Sequence, residues 1–178
     1  MNAANELLSS ADWVSVFLSF IALIVAIMSI FFTKKTIDVQ IKHNKLSVRP
    51  IPYIRIGDYK NKLFVKLENH GTGPMIVNWV TISKENEKFN SLFEAISVKD
   101  ENIIYEFTAK YRGRVLAPGE SLIIVQYEEG GNKNHFKDMR ESIRSKLSKF
   151  NIDIDFSDIY RDRFPKYSKK LTWFARAE

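Results

Sequence analysis

Residues 13 to 33 read WVSVFLSFIALIVAIMSIFFT, from Trp13 to Thr33 without one charged side chain. At about 1.5 Å of rise per residue, such a run spans a hydrocarbon layer of about 30 Å. A backbone in lipid must pair its own N–H and C=O groups, so the segment is predicted to be a transmembrane helix. Ser10 and Asp12 stand where an N-cap is expected, Trp13 marks one interface, and Lys34 and Lys35 mark the other. A cleaved signal peptide fits poorly. The preceding MNAANELLSSAD carries Glu6 and Asp12 but no Lys or Arg, the apolar run exceeds an h-region, and no A-x-A-like site follows. Downstream come Lys34, Lys35, Lys42, Lys45 and Arg49. Positive flanks stay in the cytoplasm, so residues 1–12 are expected outside and the remainder of the chain inside.

One stripe of this helix is made of small residues. Ser15, Ser19, Ala22, Ala26 and Ser29 recur at alternating steps of four and three, and Thr33 and Thr36 continue the line. That spacing lets helix backbones approach closely in lipid, in the left-handed sense of a heptad seam. It predicts a homo-oligomer formed through the membrane helix, with hydroxyls available to bond across the contact.

Beyond the membrane, residues 34–49 continue as a helical stalk in which Ile37, Ile41, Val39 and Leu46 keep a partial helical period. Arg49-Pro50-Ile51-Pro52 ends it, because each proline biases its predecessor away from the α region. From there the period becomes two. PYIRIGDY, NKLFVKLEN, GPMIVNWVTIS, NIIYEFTAKY, SLIIVQY, the Ile152–Phe156 run and KKLTWF read as short strands bounded by Gly, Pro and Asn. Residues 50–178 are therefore expected to form a mainly-β domain, an antiparallel β-sandwich of Ig-like kind or a partly open barrel. One amphipathic helix interrupts it in NHFKDMRESIRSKLSKF. Phe136, Met139, Ile143, Leu147 and Phe150 lie on one face, and Lys133, Lys137, Arg140, Arg144 and Lys149 on the other. Phe89 to Val98 is read as a second, short helix.

The chain has 178 residues, a net charge of +6 and no cysteine. Disulfides, thiolate metal sites and cysteine nucleophiles are thereby excluded. His43, His70 and His135 lie at no ligand spacing, and no serine sits in a nucleophile elbow. No catalytic residues, metal site or cofactor are expected, and the chain is read as a non-enzyme. The loop Glu68-Asn-His-Gly-Thr-Gly-Pro74 lacks the Gly-Lys-Ser/Thr of a phosphate loop. It reads as a β-connection using glycine for positive φ. Asp153, Asp155, Asp158 and Asp162 read as outward, solvated residues of an alternating strand and the turn after it.

The positive balance points to an anionic partner. Membrane lipid, nucleotide and nucleic acid all fit. Basic residues gather at Arg112 and Arg114, at Lys137, Arg140 and Arg144 on the helix, and at Arg161, Arg163 and Lys166 near Tyr160 and Tyr167. Cations interleaved with aromatics suit phosphates and stacked bases, so these eight positions form the expected ligand-binding set.

HNKLSVRP, ENHGTGP, LAPGES and IDFSDIYRDRF, following a membrane helix, together resemble a broad class of small bacterial membrane-anchored β-sandwich proteins. The resemblance is one of layout over nearly the whole chain. The class pattern has Gly after Asp-Ile-Tyr, where this chain has Arg161. Layouts of this kind occur among membrane effectors of antiphage systems. The resemblance implies a sensor of the bacterial inner membrane, reading a cyclic oligonucleotide or another anionic ligand and disrupting the bilayer. The other open reading is a module that tethers a partner protein to the membrane.

Overall fold

The computed structural model describes residues 2–85, 87–96, 103–130 and 133–176, with side chains from residue 12 onward and, in the last segment, from 136. Two compact units divide at Leu46 and Ser47. The first is one continuous helix, α1, from Asn2 to Ser47. No Gly or Pro interrupts it, and Pro50 follows its end. Its apolar stretch is long enough to cross a membrane, and none of that stretch is buried. The helix does not begin at Ser10 or Asp12. Both lie inside it, so neither is a cap. Ser19 Oγ donates to Ser15 O at 2.8 Å and Thr33 Oγ1 to Ser29 O at 2.7 Å, so these stripe hydroxyls already spend their protons within the helix.

The second unit begins with β1 (Pro52–Tyr59), β2 (Lys62–Asn69), β3 (Met75–Lys84) and β4 (Glu87–Phe89). It continues through α2 (Leu92–Ile96), β5 (Ile103–Phe107), β6 (Val115–Leu116) and β7 (Ser121–Glu129). It closes with α3 (Lys133–Leu147), β8 (Asn151–Ser157), β9 (Tyr167–Lys170) and a 3-10 turn at Thr172–Ala175. The strands form two antiparallel sheets, one ordered β1-β2-β7-β5, the other β4-β3-β8-β9 with β6 also on β3. One buried cluster draws on both sheets and the helices. It contains Leu63, Val65 and Leu67, Val77, Val80 and Ile82, Ile152, Ile154 and Phe156, and Phe136, Ile143 and Leu147 of α3. Each such side chain contributes about 1.5–3 kcal/mol by leaving water.

Several expectations are corrected. The last strand stops at Lys170 instead of running through KKLTWF. Leu171 and Phe174 are buried, and the 3-10 turn is what delivers the second of them. Phe89 belongs to β4, and the short helix is only Leu92–Ile96, while Val98 lies outside the described residues. Asn102, Gly131, Asn132 and the side chains of Lys133 and His135 also lie outside them.

Gly71 and Gly73 are not positive-φ residues. They are required by close approach, since a Cβ on Gly73 would lie 1.8 Å from Val48 O and one on Gly71 2.3 Å from Arg49 O. The buried amide of Asn69 holds that crossing together. It accepts from Ile51 N and Gly71 N and donates to Gly73 O and Leu116 O. Asp158 is likewise not solvated. It is buried, and its Oδ1 accepts from Tyr160 N and Asp162 N, both at 2.9 Å. Arg161, standing where the class pattern has Gly, has the left-handed φ of 62° that a glycine would favour.

Candidate functional site

The site starts from an interruption in strand β3. On one side β3 pairs with β8 from Ile76 to Ser83, with a bulge between Val77 and Trp79. On its other side it pairs with β6 only at Met75 and Ile76, and with β4 only from Ile82 to Lys84. The two partial neighbours leave a notch along the middle of the strand. The bulge sets what fills it. Strict alternation from Val77 would turn Trp79 inward, but the extra residue gives the inward position to Val80 and turns the indole out, 54% exposed.

Two open cavities meet at Trp79 and Arg112. The larger, of about 720 Å³, is lined by Trp79, Val80 and Thr81 of β3, Lys88, Phe89 and Asn90 at β4, and Ala109 to Arg112. The smaller, of about 380 Å³, is lined by Asn78, Trp79, Arg112, Gly113, Asp155 and Arg163. The segment before β6 is pinned where Gly113 N donates to Val77 O and Val77 N to Arg114 O, both at 2.8 Å. Gly113 makes this turn at φ 79°. Arg112 is thereby held with its guanidinium carbon 5.6 Å from the centre of the Trp79 ring, within cation–π reach. Across the smaller cavity, Asn78 Nδ2 donates to Asp155 Oδ1 at 3.0 Å, and Ser157 Oγ donates to Asn78 Oδ1 at 3.3 Å.

The charge of the notch is positive. Lys88, Lys110, Arg112 and Arg163 line it, and among the described residues none of these four makes an ion pair. Tyr111 is 6% exposed, and its hydroxyl has no hydrogen-bond partner among the described residues. Burial, with the Glu94 carboxylate adding to it, pushes this phenol well above its ordinary pKa. It therefore remains a neutral hydrogen-bond donor at physiological pH.

The sequence-derived ligand set is divided by the fold. Arg112 and Arg163 meet at the notch. Arg114 is exposed beside β6, Arg161 sits on the Asp158 turn, and Lys166 is exposed just before β9. Lys137, Arg140 and Arg144 line neither cavity beside Trp79. Lys137 is exposed on α3. Arg140 and Arg144 are directed to Asp58 of β1, whose side chain is 0% exposed. Arg140 Nε donates to Oδ1 at 2.7 Å, and Arg144 Nε lies 3.2 Å from Oδ2 as an ion pair without an aligned hydrogen bond. Arg176 Nη2 approaches Oδ2 at 3.3 Å, and Arg144 also donates to Glu141 and to Arg176 O. Arg144 is buried instead of belonging to a solvated basic face.

Trp79, Lys88, Lys110, Tyr111, Asn78 and Asp155 were not legible as a site. Their nearness depends on the bulge and on a sheet neighbour that is distant in sequence. Among the described residues no group of His, Cys, Asp and Glu is arranged to hold a metal ion. No known protein family matches the chain, and no curated protein matches it in sequence.

Proposed function

We propose that this chain is a single-pass protein of the bacterial inner membrane, N-terminus outside, whose cytoplasmic β-sandwich binds an anionic ligand at the Trp79 notch. It acts as a sensor or effector without enzymatic activity, and it self-associates through the small-residue stripe of α1. The observation that carries the reading is the convergence of Lys88, Lys110, Arg112 and Arg163 on two adjoining cavities, none of the four in an ion pair among the described residues. Unpaired cations held beside an open aromatic ring favour an anion. An uncharged helix segment followed by basic residues supports the anchor and its orientation. The layout resemblance extends the proposal to antiphage defence, with bilayer disruption as the output.

The deciding test is binding of anions to the full chain in neutral nanodiscs. Paired reversal of Arg112 and Arg163 to Glu should abolish binding and leave the circular dichroism unchanged. Binding should weaken with salt, because exposed charges are screened beyond about 10 Å at 0.1 M. Absence of any anion binding at low salt removes the sensor reading. Tethering of a partner protein would then lead, supported by the exposed Ile104, Tyr105 and Phe107 on β5, an edge strand of its sheet.

A further inference from the structure

The anion reading leaves the chemical class of the ligand open, and the inference drawn here rests on that reading. Four features of the notch go beyond what an inorganic anion requires. The first is the indole itself. A half-exposed tryptophan on an inner strand of a sheet serves no core, and among the described residues no aromatic ring stacks on it. Among the described residues its ring partner is Arg112. An aromatic platform beside a guanidinium is what a flat heterocycle uses for stacking.

The second feature is the Tyr111 ring in the wall of the larger cavity. It extends the apolar surface that a flat ring would pack against, while its hydroxyl is closed off from the cavity and takes no part. The third is Asp155. A carboxylate lining the smaller cavity repels phosphate from that end of the notch, yet with Asn78 it offers acceptors to sugar hydroxyls or ring amines. The fourth is size. Cavities of about 720 and 380 Å³ sharing one wall fall in the range of small-molecule sites, about 300–1,000 Å³.

We infer that the notch binds a nucleotide, its base stacked on Trp79, its phosphate among Lys88, Lys110 and Arg112, and its sugar or base-edge donors at Asn78 and Asp155. Stacking supplies selectivity for an aromatic anion, and the cations supply the salt-dependent part of the affinity. The arrangement calls for no bond-making step.

The probes are the four ribonucleoside triphosphates, a cyclic dinucleotide and tripolyphosphate, which carries the charge without a base. They are titrated calorimetrically into the full chain in phosphatidylcholine nanodiscs. At least one nucleotide should bind about tenfold or more tightly than tripolyphosphate, the scale of one stacked base. Trp79→Ala should erase that advantage and Trp79→Phe should keep it. Because Trp79 is half exposed, its replacement leaves the core intact, and circular dichroism checks this.

Tripolyphosphate binding as tightly as the best nucleotide, with Trp79→Ala unchanged, overturns the nucleotide class while the anion reading stands. Silence from every probe removes both. A short oligoribonucleotide that outcompetes all the free nucleotides would assign the notch to a strand and overturn the small-ligand form stated here.

Discussion

Replacing Asp58 by Asn should destabilise the β-domain by about 3–5 kcal/mol, the cost of leaving a buried charge without its partner. The magnitude follows from exposure. The Asp58 side chain is 0% exposed and compensates guanidiniums from Arg140, Arg144 and Arg176, whose side chains are 13%, 4% and 37% exposed. Arg176 would turn to solvent at little cost. Arg140 would recover part of its hydration. Arg144 is the most deeply buried of the three, and the Glu141 carboxylate beside it is 61% exposed. The largest share of the penalty therefore falls on Arg144. For the unit Ser47–Glu178, an unfolding entropy of about 2.1 cal/mol/K per residue makes 1 kcal/mol worth roughly 4 °C, so the loss is roughly 12–20 °C. The assay is thermal unfolding of the full chain in detergent, followed by circular dichroism. A companion variant makes the reasoning specific. Asp58→Asn combined with Arg144→Met removes the buried guanidinium as well and should recover a large part of the loss, because pairs in contact are non-additive. A single variant within about 1 kcal/mol of the parent, or a double variant worse than the sum of the two singles, would refute the electrostatic account.

Gly73→Ala should cost about 3 kcal/mol or prevent folding, since its Cβ would meet Val48 O at 1.8 Å; the unfolding midpoint reports it. Arg161→Gly should stabilise by about 0.5 kcal/mol, because relief of the left-handed φ slightly exceeds the added chain entropy. Ala22→Leu with Ala26→Leu should disrupt self-association without preventing membrane insertion, since leucine is at least as apolar. Single cysteines introduced into this cysteine-free chain would report that assembly by crosslinking, and unchanged crosslinking would make the stripe incidental. A reporter fused at the C-terminus should be active only if it works in the cytoplasm, and periplasmic activity would reverse the proposed orientation.

What could be read in advance tracks how local each cause is. The long apolar helix, the alternation of Ile152, Ile154 and Phe156 with Asp153 and Asp155, and the core face of α3 all depend on period alone. The errors occur where a distant partner overrides the period. Arg144 falls on the polar side of the α3 pattern, but Asp58, far away in β1, draws it into the interior. Gly71 and Gly73 look like turn residues, but their cause is the chain from Val48 to Ile51 passing against them. Asp158 continues an acidic series, yet the turn back toward Arg163 needs its carboxylate as an acceptor.

Trp79 is the most consequential case, because a bulge in the strand pairing changes its role. In VNWVTIS the tryptophan reads as another large core residue of a strand. Alternation gives it no reason to face outward, and nothing nearby in sequence signals the bulge. The structure that makes it available is non-local at every step. β8 sets the bulge, β4 and β6 stop short on opposite ends of β3, and Gly113 turns Arg112 back over the ring. Bulges re-aim side chains at the cost of a disrupted ladder, and an exposed indole recovers little of that cost by itself. A ligand that stacks on the ring would recover more. The same reasoning predicts the effect of removing the bulge. Deleting Asn78 should restore strict alternation with Val77 and Val80 inward and Trp79 still outward, so the ring and all four cations of the notch remain and nucleotide binding should persist, weakened at most by loss of the Asn78 amide. Loss of all binding from a deletion variant that still folds would show that the ring and the cations do not suffice, and the platform assigned to Trp79 would fall.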